Sequence, residues 1–353
     1  MTEKKERLTI LIAGLIVGVC GALLVKFGNP KNMGFCIACF IRDTAGGLGL
    51  HKAAAVEYIR PEIIGLVLGS FCMAFMKKEF QPKGGSAPFT RFILGFAVMV
   101  GSLMFLGCPL RMVLRLAGGD LNALVGLAGF FCGILCGVFM LNRGYSLKRT
   151  YKMPTLEAVA FPGVQVALLV LLVAAPAFIL FSEEGAGPGA LHAPIAIALV
   201  AGLACGALAQ RSRLCMVGGL RDVVLFKDTK LITGFAAIFA ACLVLNICLG
   251  NFKLGFADQP VAHTAHLWNF LGMVLVGFGS VLLGGCPMRQ LILAGEGNTD
   301  SVITVLGYTV GAAFCHNFGL ASSGKGPTLN GQIAVIIGLV LCVVIGLANS
   351  RKE

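Results

Sequence analysis

The residues with the most chemistry in them are the cysteines of two matching segments, GSLMFLGCPLR at 101–111 and GSVLLGGCPMR at 279–289. Proline at the first position of a helix lacks only an amide hydrogen that would be orphaned there, and the glycines before it permit a tight turn. The spacing predicts that Cys108 and Cys286 each stand at the N-terminus of a short helix. Free amides and the positive dipole end meet there, so anions bind and thiols acidify. Arg111 and Arg289 follow three residues later, about one turn along the same face. Such a constellation is an anion site; alternatively Gly-Cys-Pro only turns the chain and each Arg binds a carbonyl. Two copies favour the site.

A second pair has the same character. FCIACFIRD at 35–43 aligns Cys36, Arg42 and Asp43 with Cys215, Arg221 and Asp222 of LCMVGGLRD at 214–222. Adjacent Arg and Asp point to different helix faces, so each is expected to pair with another segment rather than with its neighbour. A buried structural ion pair and a substrate role both remain open for these four residues. Cys36-x-x-Cys39 has a redox or metal spacing, yet Gly218 stands where the second copy would need a cysteine, so no metal site is predicted. His263, His266 and His316 are scattered, the first two in a loop and the third at a helix interface. No P-loop, Rossmann fingerprint or H-E-x-x-H motif occurs, and there is no quinone, haem or flavin signal; no cofactor is predicted.

The elements that position these residues must lie in lipid. The chain of 353 residues is 57% hydrophobic and only 12% charged, about half the charged fraction of soluble proteins, with a mean hydropathy of +0.89. A net charge of +12 would suggest nucleic acid on a soluble chain. Here the cations flank apolar runs (Lys77 and Lys78, Arg143, Lys148 and Arg149, Arg211 and Arg213, Arg351 and Lys352), which is the pattern of a cytoplasmic membrane face. Ten segments approach spanning length, near 8–28, 61–76, 91–107, 121–141, 159–181, 193–210, 231–250, 267–285, 301–320 and 331–349. The first run is too long for the apolar core of a secretion signal and reads as the first membrane helix. Stretches 34–50, 108–119, 212–227 and 286–297 are too short and too charged to span, and read as re-entrant half-helices. Nine other cysteines lie inside apolar runs, where a thiol packs as a small hydrophobe.

Cys286 stands 178 residues after Cys108 and Cys215 stands 179 after Cys36, and GVCGAL at 18–23 precedes them as LACGAL does at 203–208. The chain therefore reads as a tandem duplication: a first repeat at 1–158, a connecting helix and outer loop at 159–190, and a second repeat at 191–353. Five spans per half make the repeats enter from opposite sides, so the expected fold is an all-α polytopic membrane protein with an inverted repeat. The short segments then form an hourglass, and both termini are cytoplasmic.

The Gly-Cys-Pro pair, QRSRLCMVGGLRD at 210–222 and its counterpart at 35–43 together resemble the YeeE/YedE family of sulfur-transport membrane proteins. GNPKNMGFCIACFIRDTAGGLGLH at 28–51 and the Arg after each Gly-Cys-Pro resemble its YedE branch, associated with selenium metabolism. The resemblance implies a permease of the bacterial inner membrane that imports thiosulfate or a related sulfur or selenium species. Carried over by motif, its thiol-lined path would comprise Cys36, Cys108, Cys215 and Cys286. Thiosulfate-importing relatives commonly have small residues, Gly and His after the Gly-Cys, whereas this chain has Pro-Leu-Arg and Pro-Met-Arg. The competing reading is a membrane thiol redox or persulfide-relay enzyme. A third, compatible with the first, is docking of a cytosolic sulfur-carrier protein on the basic loop 211–230.

Overall fold

No water reaches a bilayer core, so a chain this apolar must satisfy its backbone within helices. The computed structural model describes residues 3–350; Arg351 and Lys352 of the basic flanks lie outside the described residues. Ten long helices follow one another: α1 (Glu3–Lys26), α3 (Pro61–Met76), α4 (Pro88–Phe105), α6 (Asn122–Asn142), α7 (Thr155–Ala174), α8 (Ile195–Ser212), α10 (Lys230–Cys248), α11 (His266–Leu282), α13 (Thr299–Asn317) and α14 (Leu329–Ala348). Four short ones interrupt them: α2 (Ile37–Gly47), α5 (Pro109–Ala117), α9 (Met216–Phe226) and α12 (Pro287–Gly295). At 1.5 Å per residue these reach about 14–17 Å, half of a hydrocarbon core. Lys83–Gly84 and Tyr151–Lys152 form the one two-stranded pairing among the described residues.

Nine helices, not ten, are both long and apolar enough to cross a membrane among the described residues. The shortfall is α13. It has 19 residues but carries Asp300, Ser301, Thr304 and Tyr308, all buried against other helices. Its packing partners are α4, α2 and α12, so protein supplies the surroundings that apolarity would otherwise have to suit. The span expected at 159–181 instead runs Thr155–Ala174, because Pro176 cannot continue a helix and Ala175 turns left-handed before it.

The long helices alternate in direction, as the contacts between their ends establish. At one end Lys83 and Gly84 pair with Lys152 and Tyr151, Arg211 lies 2.9 Å from Glu79, the Gln81 amide donates to the Glu296 carbonyl, and Lys230 approaches Glu6. At the other, the Ala193 amide donates to Asn29, that of Leu180 to the Gly47 carbonyl, and that of Lys253 to the Gly118 carbonyl. The first end gathers the Lys and Arg clusters of 77–83, 143–152 and 211–213 and is called the basic end below. The start of α1 and the finish of α14 both lie there, the latter through the bond from the Ser146 amide to the Asn349 carbonyl.

The closest helix contacts each join an early helix to a late one: α1 to α10, α3 to α8, α4 to α13, and α6 to α11. Glycines let these backbones approach, as is usual where lipid offers no hydrophobic drive. Gly129 seats against the carbonyl of Phe270 and Gly307 against that of Phe92, while Gly133 faces Val274 as Gly311 faces Phe96. Glycine and partner alike are displaced by 178 residues between the two crossings.

Candidate functional site

Each short helix begins on one of the four cysteines singled out above: Cys36 caps α2, Cys108 α5, Cys215 α9 and Cys286 α12. The Cys36 sulfur accepts the amide of Cys39 at 3.4 Å and the Cys215 sulfur that of Gly218 at 3.3 Å, a thiol doing what Ser or Asp does at most helix starts. Pro109 and Pro287 occupy the first turn of the other two, as the Gly-Cys-Pro spacing requires. All four sulfurs are buried. Cys215 Sγ lies 3.8 Å from Cys286 Sγ, and Cys36 faces Cys108, whose sulfur also meets the amides of Arg111 and Ala38. The C-termini of α9 and α12 run to the basic end and those of α2 and α5 to the opposite one. Four positive helix ends thus point into the bundle interior, two from each side, each with a cysteine at its cap position.

The charged residues divide differently from expectation. Arg42 binds its own neighbour Asp43 at 2.6 Å and Arg221 binds Asp222 at 2.8 Å, where pairing with other segments was expected. For the buried Arg42 the nearest carboxylate wins over helix-face geometry, because an unpaired guanidinium is the costlier outcome. Asp43 does reach another segment through its second oxygen, which holds Arg60 at 2.7 Å. Arg289 is paired with Glu296 at 3.0 Å. Arg111 has no carboxylate: its guanidinium donates to the carbonyls of Asn32, Leu106 and Val261 and to the Cys39 sulfur. Its charge is therefore solvated but not cancelled, beside the Cys36 and Cys108 pair.

Sequence reasoning missed Arg60, the buried Arg115–Asp120 pair at 2.6 Å, and Tyr308. Comparing the two copies passed over Arg115 and Asp120 because Leu293 and Asn298 stand 178 residues on. Tyr308 is wholly buried in the middle of α13, within Coulombic reach of Cys108, Cys215 and Cys286. Of the histidines, His263 is buried with Nε2 on the Met104 carbonyl at 2.8 Å, and burial holds its imidazole below the usual range. His316 stacks on His51 at 4.7 Å. Among the described residues no three His, Cys, Asp or Glu are grouped to hold a metal. Cys72, Cys132, Cys136 and Cys248 are exposed on helix surfaces, whereas Cys205, Cys242, Cys315 and Cys342 are packed inside. A cavity of about 380 Å³, lined by Arg42, Leu106, Cys315, His316 and Ser322, lies at the opposite end of the bundle.

Alternating apolar helices around buried polar groups define a multi-pass α-helical membrane protein. The family model described as Sulphur transport matches residues 211–348, in the second half of the chain. It is similar to the thiosulfate transporter TsuA of Spirochaeta thermophila, 32% identical over 114 residues that cover 32% of this chain and 34% of that protein. It is also similar to the thiosulfate transporter TsuA of Escherichia coli, 34% identical over 122 residues, 33% of each chain. The matches thus span about a third of the length of the curated relatives.

Proposed function

We propose that the protein is a permease, not an enzyme, that brings a small sulfur-containing anion such as thiosulfate, or its selenium counterpart, across the inner membrane along Cys36, Cys108, Cys215 and Cys286. The observation that supports this reading is the convergence of four helix N-termini, each beginning at a buried cysteine, inside the bundle. Thiols are weak S–H donors that suit a soft chalcogen atom, and helix amides hold an oxyanion without a full opposing charge that would trap it. The two thiol pairs form successive stations, and the uncancelled charge of Arg111 makes the Cys36 and Cys108 station the more attractive. The halves are an inverted duplication, 1–158 and 191–353 about a connector at 159–190, and the basic end faces the cytoplasm with both termini. A cytosolic sulfur carrier would meet the path at the basic loop 211–230.

Uptake of ³⁵S-thiosulfate into proteoliposomes tests the path. Single Ala replacements of the four cap cysteines should each lower uptake at least tenfold, an order-of-magnitude figure for loss of a hydrogen bond to a charged group. Cys242→Ala and Cys342→Ala should stay within about twofold of wild type. Equal losses in both groups would end the distinction between path and packing. The 3.8 Å sulfur contact is also what a thiol redox relay would use; that reading requires activity to follow dithiothreitol, whereas permeation is indifferent to it.

Orientation has its own test. A reporter fused after the last residue should be active only in the cytoplasm and a tag at Gly187 reachable only from outside. Both on one side would refute the proposed topology.

A further inference from the structure

Buried hydroxyls in folded proteins nearly always find a partner, and one that does not needs a reason. The Oη of Tyr308 is buried with no hydrogen-bond partner. α13, which carries it, packs against α2 and against α12, whose caps belong to different thiol pairs. Cys108 of one pair and both members of the other, Cys215 and Cys286, are close enough to act electrostatically on the phenol. It is a side chain shared by the two stations.

The fold does not ask for that oxygen. The matching glycine crossings make α6 the counterpart of α13, Gly129 corresponding to Gly307 and Gly133 to Gly311, so Phe130 holds in α6 the position that Tyr308 holds in α13. Phe130 is also wholly buried. A phenyl ring therefore meets the packing need at this register, and the hydroxyl is an addition that packing leaves unused. In a site built of thiols and backbone amides, it is also a strong side-chain O–H donor with no group of the described residues to bind.

We propose that Tyr308 is the residue that holds the anion between the two thiol pairs, its O–H donating to an oxyanion oxygen while the chalcogen leaves one pair for the other. The inference rests on the path proposed above and sharpens the substrate class. The preferred cargo carries at least one oxyanion oxygen beside a soft sulfur or selenium atom, and a bare hydrosulfide or selenide gains nothing from the phenol. No covalent bond is made or broken, and the proton stays on the phenol.

The test uses the full-length protein in proteoliposomes with ³⁵S-thiosulfate as probe. Tyr308→Phe should lower uptake at subsaturating thiosulfate about 10- to 100-fold, the range for losing a hydrogen bond to a charged group. It should raise by a similar factor the thiosulfate concentration that protects Cys286 from N-ethylmaleimide, read by mass spectrometry. Because the deleted oxygen has no partner, the melting temperature should not fall. Tyr308→Leu, which removes the ring as well, should lower it and so reports the packing role separately. Wild-type uptake and protection in Tyr308→Phe, with Cys108→Ala and Cys286→Ala inactive, would overturn the assignment and leave the path standing. A lowered melting temperature in Tyr308→Phe, with uptake lost in proportion to folded protein, would overturn it in favour of a structural role. Wild-type uptake in both cysteine variants would overturn the path and this assignment with it.

Discussion

Asp43→Asn should leave little folded protein in the membrane. Asp43 is fully buried and divides its two oxygens between Arg42 and Arg60, which are themselves buried. The substitution removes the carboxylate that both cations bind and leaves two guanidinium groups without their ion-pair partner in a medium that cannot solvate them. Removing one partner from a buried ion pair costs about 3–5 kcal/mol, a large part of the roughly 5–15 kcal/mol that holds a domain together. The molecule supplies its own control, since Asp222 pairs with Arg221 in the corresponding place on α9 but both side chains are partly exposed. Asp222→Asn should cost about 1 kcal/mol or less. Monodisperse yield in detergent and the thermal unfolding midpoint measure both. Equal losses would mean that burial does not set the worth of these pairs.

Gly133→Ala should be nearly as damaging for a different reason. A methyl group at Gly133 would fall inside the contact distance of the Val274 carbonyl oxygen, a backbone atom that cannot rotate away. α6 would have to withdraw from α11, at the upper end of the roughly 1–3 kcal/mol seen for overpacking. Gly311, at the matching crossing of α13 on α4, would place its methyl 3.1 Å from the Phe96 oxygen, so Gly311→Ala needs only a small shift and should cost less. Gly163, in α7, has nothing within 4 Å, and Gly163→Ala should be neutral or stabilise by about 0.5–1 kcal/mol. Thermal midpoints that fail to rank these variants in that order would show that the crossings are not close-packed.

Much of this could be read from residue types alone. The Pro of each Gly-Cys-Pro, the run lengths and the charge flanks gave the short helices, the long ones and the basic end, because each is a local property. Three things were out of reach. That an Arg after Gly-Cys-Pro binds carbonyls was one of the two readings, but which carbonyls hold Arg111, on segments 79 and 150 residues away and just before α5, no side-chain pattern announces. Asp43 and Arg60 meet through the return of the chain from α2 to α3, which a comparison of copies could not expose. Tyr308 is one aromatic within a run of spanning length, and only its missing partner and its surroundings distinguish it. α13 was counted as a spanning helix although its buried face is polar, a face that only the finished bundle can accommodate.

The bonds around α5 also have a bearing on how the protein is made. Arg111 donates to the Val261 carbonyl, Asn122 to that of Phe256, the Leu121 amide to that of Gly255, and the Gly118 carbonyl accepts from the Lys253 amide. Every partner lies between 134 and 150 residues further along the chain than the group it satisfies. At about 5–20 residues per second of synthesis, these groups wait on the order of 10–30 s for the carbonyls and amides that complete them. During that interval Arg111 lacks one of its four partners, and Asn122 and the backbone groups of Gly118 and Leu121 lack theirs. Seating of α5 is therefore a late step of biogenesis, and until residues 253–261 arrive the early part of the chain depends on the insertion machinery for shelter.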